Sequence, residues 1–93
     1  MITRVELSRA VEKAVRKLPA NVVAKLLAWA ASVEELGLAE VRKRAGYHDE
    51  PLHGDRAGQR SIRLNKAYRA FYVVSQTGVI EIVSVFEVNK HGY

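Results

Sequence analysis

The side chains of this chain best able to do chemistry are Arg63 and Arg69 and the histidines at 53 and 91, with His48 the least convincing of the three histidines. A guanidinium keeps its charge and grips phosphate oxygens in a planar fork, whereas an imidazole holds or releases a proton near neutral pH. Together they suit proton transfer around a bound anion. Arg63 is the first choice for the fixed cation, and His91 for the general acid or base. The chain has no cysteine, which excludes a thiolate zinc site, a cysteine nucleophile and a disulfide framework. His48, Asp49 and His53 lie near one another in sequence, but Pro51 interrupts them and no paired helical histidines complete a ligand set. No metal and no other cofactor is expected.

These residues need a sheet to hold them. Side chains alternate across a strand, and directly opposed residues share a face. With Asn65, Lys66 and Ala67 as a three-residue loop, Leu64 opposes Tyr68, Ile62 opposes Ala70 and Arg60 opposes Tyr72, which makes one mostly apolar face. The other face then pairs Arg63 with Arg69 and Ser61 with Phe71. A two-residue loop would set Ile62 against Arg69 and mix the faces. Two opposed arginines repel unless an anion or an acidic group lies between them, and RNA phosphate fits that description.

The remaining elements follow from local pattern. Thr3 to Leu7 alternates and reads as a short edge strand. Ser8 is a helix N-cap, after which Val11, Ala14, Val15 and Leu18 share a face with Leu7. Pro19 ends that helix and opens the next, whose apolar positions run from Val22 through Trp29 to Leu36, where Gly37 stops it. Trp29 reads as core between helix and sheet. A short helical turn over Leu38 to Arg44 follows, and Arg42, Lys43 and Arg44 read as a solvated face. Tyr47 to Gly58 is irregular and reads as a loop. Strands are predicted at about Gln59 to Leu64, Tyr68 to Gln76 and Val79 to Val88, with Thr77-Gly78 as the second turn. In the last strand Ile80, Ile82, Phe86 and Val88 are assigned to one face and Val83 and Val85 to the other, so the strand should lie inside the sheet.

With 93 residues, 48% of them hydrophobic, the chain has material for one compact core and forms a single domain over 1–93. A net charge of +5 and a pI near 9.8 favour a nucleic acid, ribosomal or acidic protein partner over small anionic metabolites. Residues 1–7 lack an apolar run of signal-peptide length and nothing approaches a membrane span. A cytoplasmic protein without a membrane partner is the expectation.

The order strand, two helices, three-strand meander resembles the RelE/ParE toxin superfamily. The run Gly54, Arg56, Ala57, Gly58, Gln59, Ser61, Ile62, Arg63, Leu64, Asn65 is similar to its HigB-like branch. Pro51-Leu52-x-Gly54, Tyr68-Arg69-x-x-Tyr72 and Glu87-Val88-Asn89-Lys90-His91-x-Tyr93 fit the same group. The resemblance implies an α+β fold, a small and mostly antiparallel sheet in the order β-α-α-β-β-β with two N-terminal helices on one face. It also implies the toxin of a type II toxin–antitoxin system, a metal-independent endoribonuclease that cleaves mRNA on the 70S ribosome and halts translation. Its partners would be the ribosome with mRNA and a cognate antitoxin, often of helix-turn-helix type, through which alone it would reach operator DNA.

Such cleavage is transesterification by the ribose 2′-oxygen, which needs a base, a cation at phosphorus and an acid at the leaving oxygen. By the resemblance, Arg63 matches the catalytic arginine and His91 the C-terminal histidine. Tyr93 matches the closing aromatic, which stacks on a base or orients phosphate. His53 stands where relatives often carry lysine, as a second proton-transfer group or a phosphate contact. Arg56, Arg60, Arg69 and Lys90 supply further phosphate contacts. Gly92 occupies a position that is often acidic, so a carboxylate that would tune His91 is lost. Two other readings stay open: a ParE-like DNA gyrase inhibitor, and an inactive module that only binds antitoxin.

Overall fold

In a computed structural model describing residues 2–90, five strands form one sheet in the order β1-β5-β4-β3-β2, with the helices packed on one of its faces. Strand β1 (Ile2–Leu7) lies at one edge and runs parallel to β5 (Ile80–Lys90). The other pairings are antiparallel: β5 with β4 (Tyr68–Thr77), β4 with β3 (Arg60–Arg63), and β3 with β2 (Glu50–Pro51). β5 is interior, as its two-sided pattern implied.

Ser8 caps α1 (Arg9–Val15): its hydroxyl accepts from the Val11 amide at 3.1 Å and donates to the Phe86 carbonyl at 3.4 Å. One short side chain therefore starts the helix and ties it to β5. Pro19 is the N-cap of α2 (Ala20–Leu36), and Gly37, at φ +88°, ends it in a conformation that a Cβ would strain. α3 (Leu38–Arg42) follows at once. Val22, Leu26, Trp29 and Val33 of α2 meet Ile62, Tyr72, Val83 and Val85 of the sheet in a fully buried core, with the Trp29 and Tyr72 rings 5.3 Å apart. At the β1 edge the Glu34 carboxylate accepts the outward Val5 amide at 2.9 Å, leaving one donor fewer for another chain to pair with.

The β3–β4 hairpin has the three-residue loop and the predicted register: Arg60 opposes Tyr72, Ser61 Phe71, Ile62 Ala70, and Arg63 Arg69. Asn65 builds the loop by accepting the Ala67 and Tyr68 amides on its side-chain oxygen, an Asx turn.

Three expectations are corrected. The segment 47–58 is not a plain loop. It opens on the last residue of a 3-10 turn, Ala45–Tyr47, and then holds β2 and a second such turn at Gly54–Arg56. A two-residue strand containing proline has too little alternation to be seen. The β4–β5 turn is Gly78-Val79, with Thr77 still paired to Ile80, because the first turn position needs the positive φ that Gly78 takes at +60°. Finally, Phe71 opposes Glu87 while Tyr72 opposes Val85, so Phe86 is an extra residue, a β-bulge. The bulge reverses parity beyond it. Val88, opposite buried Ala70, joins Val83 and Val85 on the helix side instead of sharing a face with Ile80 and Ile82.

Candidate functional site

The face of the sheet away from the helices carries two cross-strand rows: Ser61, Phe71 and Glu87, and beside them Arg63, Arg69 and Asn89. Arg56, from the second 3-10 turn, lies over the first row. Its guanidinium sits 4.3 Å from the Phe71 ring centroid, and it donates to Gln59 at 2.7 Å and to Glu87 at 2.8 Å. Asn89 donates to the same Glu87 carboxylate. The segment before β3 is thus joined to the end of β5.

Arg63 and Arg69 avoid each other by leaning in different directions. Arg69 donates to Ser61 Oγ at 2.9 Å and approaches Glu50 of β2 at 3.4 Å. The acidic partner required by the opposed arginines thus comes from the strand that the sequence hid. Arg63 turns toward His48, with Nη1 3.4 Å from Nε2. Among the described residues Arg63 has no carboxylate partner, and its Nε is buried with no hydrogen-bond partner. A buried donor without a partner is costly, and the half-buried guanidinium carries a charge that no described carboxylate offsets.

On the helix side of the same strands, Asp49 is the hub. Its carboxylate, 1% exposed, accepts Arg60 Nε at 2.7 Å and the Tyr72 hydroxyl at 2.5 Å. Arg42 Nε donates to that hydroxyl at 3.4 Å. Burial and the Asp49 hydrogen bond push the Tyr72 phenol up to about 12, against the opposing influence of Arg42. Burial works against the charge of Arg60, but Asp49 more than offsets it and the guanidinium is held above its ordinary value.

The candidates read from sequence therefore divide. Arg63, Arg69 and Arg56 gather on the open face. Arg60, expected among the phosphate contacts, instead neutralises Asp49 on the helix side, because its position in the strand has the parity of Ile62. Lys90 opposes Tyr68 on that side also and is exposed. His53 precedes the second 3-10 turn, exposed, and its side chain makes no hydrogen bond or ion pair among the described residues. Since the Leu52 amide bonds the Gln59 carbonyl, His53 lies past the Arg60 end of β3, roughly 10 Å or more along the strand from Arg63. His91 and Tyr93 lie outside the described residues.

What sequence reading set aside is His48. Glu50 opposes Ser61 and Pro51 opposes Arg60, so continuing this antiparallel register brings residue 48 opposite residue 63. The signal was the pairing of β2. Among the described residues no three His, Cys, Asp or Glu side chains form a group that could hold a metal, and no helix is long and apolar enough to cross a membrane.

No family model and no curated protein matches the chain. Solved structures do. A YoeB/ParE toxin from Agrobacterium tumefaciens matches with a TM-score of 0.72 at 21% identity, over 96% of this chain and 99% of that one. The archaeal RelE–RelB complex from Pyrococcus horikoshii gives 0.69 at 21% identity, over 99% and 98%. The RelBE2 toxin–antitoxin complex from Mycobacterium tuberculosis gives 0.66 at 17% identity, over 98% and 100%. The chain has the fold of RelE/ParE-type toxins along nearly its whole length.

Proposed function

We propose that this protein is the toxin of a type II toxin–antitoxin pair and that it cleaves mRNA on the ribosome by metal-independent transesterification. The observation that carries the reading is the difference among the arginines of 56–69. Arg56, Arg60 and Arg69 each have a carboxylate, whereas Arg63 has none among the described residues and keeps a buried, unpartnered Nε on the open face. A preorganised cation of this kind stabilises charge that develops at phosphorus. The ion pairs of Arg56 and Arg69 reach solvent and are weak, so a phosphate backbone can compete for both side chains. Arg60 is left out of this set because its partner is buried. The fold shared with toxins solved in complex with antitoxins, RelE–RelB and RelBE2, supports a cognate antitoxin as partner. On the sequence resemblance alone, His91 supplies proton transfer and Tyr93 a stacking ring, while His53, set well along the strand from Arg63, is left as a phosphate contact.

A gyrase-binding reading is kept because one similar structure is described as YoeB/ParE. The test is the purified protein added to translating ribosomes, with mRNA ends mapped. Arg63→Ala should lower the cleavage rate by roughly 10²–10³-fold while antitoxin binding is unchanged. Intact mRNA in the wild-type reaction, together with gyrase trapped on cleaved supercoiled DNA, would reverse the assignment.

A further inference from the structure

We infer that His48 is the general base of the reaction at Arg63, an assignment that rests on the nuclease reading above. Two observations independent of the fold likeness carry it. The first is the contact itself, His48 Nε2 at 3.4 Å from Arg63 Nη1. Arginine has only donors, so this contact is a hydrogen bond in the tautomer whose Nε2 carries the lone pair and whose ring proton sits on Nδ1. A phosphate taken up by Arg63 therefore arrives beside a basic nitrogen.

The second is how the backbone delivers it. Among the described residues His48 is the one non-glycine with positive φ, at φ +46° and ψ +48°, where Cβ crowds the following carbonyl. Both neighbours hold it there. Tyr47 is buried with Lys25 Nζ 4.9 Å from its ring centroid, and the Asp49 carboxylate is fixed by Arg60 and Tyr72. Between two anchored residues the backbone at 48 is fixed, and from it the exposed imidazole reaches Arg63. Strained backbone held by its surroundings at the mouth of an anion site is the pattern of a functional position.

In the step, the 2′-hydroxyl loses its proton to His48 Nε2 as its oxygen bonds phosphorus. The bond from phosphorus to the 5′-oxygen breaks with its electron pair on that oxygen, which takes a proton from a separate acid. On the sequence resemblance, His91 is the candidate for that acid, since His53 lies too far along the strand from Arg63. The products are a 2′,3′-cyclic phosphate and a 5′-hydroxyl. The imidazolium forms beside the Arg63 guanidinium, and the extra negative charge that the pentacoordinate phosphorus brings alongside both offsets the repulsion.

The test uses His48→Gly, since glycine accepts this backbone conformation and the melting temperature verifies folding. With ribosome-bound mRNA, kcat should fall roughly 10²–10⁴-fold with KM little changed, and added imidazole should restore at least about tenfold. His48→Gln, which fills the space, should be as slow and not respond to imidazole. A His48→Gly rate within about threefold of wild type overturns the assignment. So does a slow variant with raised KM and no response to imidazole, which would make His48 a binding residue. In either case, loss of cleavage in Arg63→Ala shows that the nuclease reading stands, whereas intact mRNA with the wild-type protein removes both.

Discussion

Arg60 and Arg63 are the same side chain three positions apart on one strand, and the strand's alternation sends them to opposite faces with opposite duties. On the helix side Arg60 sits against a carboxylate that cannot reach water. On the open side Arg63 has no carboxylate partner among the described residues. Tyr72 belongs to the first group, and its phenol makes a testable contribution. Folded, it keeps its proton to about pH 12, whereas the unfolded chain releases it near 10. Between those values the unfolded state binds fewer protons, so stability falls as pH rises through that window, by up to about 2–3 kcal/mol. Below it the contribution is complete. Denaturant midpoints measured at pH 9 and pH 11.5 should drop more for the wild type than for Tyr72→Phe.

At the scale of elements, the segment between α3 and β3 is held less by its two-residue strand than by Asp49. β2 is short and carries Pro51, which lacks an N–H to offer and so blunts the edge it occupies. The anchor's two halves are unequal, because the Asp49 side chain is 1% exposed and that of Arg60 25%. Without Asp49, Arg60 can turn its charge toward solvent; without Arg60, a buried carboxylate is stranded. Arg60→Ala should therefore cost about 3–4 kcal/mol and Asp49→Ala about 2–3 kcal/mol by equilibrium urea unfolding. The reverse order would show that the segment relaxes to hydrate Asp49. Under the proposed nuclease function, either substitution should also free His48 and slow cleavage. The β5 bulge works on the same scale: by adding Phe86 it turns Val88 inward and Glu87 and Asn89 outward, onto the face of Arg63 and Arg69.

Across the whole molecule the division of labour is between two faces. The helices cover one side of the sheet around Trp29 and Tyr72, and the uncovered side carries the Arg56, Arg63 and Arg69 guanidiniums. Trp29 is fully buried, yet its indole N–H has no partner among the described residues. Trp29→Phe loses volume but also removes an unsatisfied donor. Thermal or urea unfolding should place it within about 1 kcal/mol of wild type, against about 3–5 kcal/mol for Trp29→Ala. A large loss in the phenylalanine variant would mean that packing against Tyr72, 5.3 Å away, outweighs the relief.

Local periodicity was enough to place the Asn65 to Ala67 loop, and with it the opposition of Arg63 to Arg69. The same local logic marked Ser8, Pro19 and Gly37 as helix boundaries and Trp29 as core, because each of these depends on a residue and its near neighbours in the chain. What only the tertiary structure decided was partnership: Glu50 beside Arg69, Asp49 beneath Arg60, Glu87 beneath Arg56 and His48 beside Arg63. These partners lie 11 to 31 positions away or reach their arginines through a two-residue strand and a bulge, and neither feature writes a repeating pattern into the sequence. Alternation tells a side chain which face it occupies. Which arginine is left without a carboxylate among the described residues depends on chain segments meeting in space.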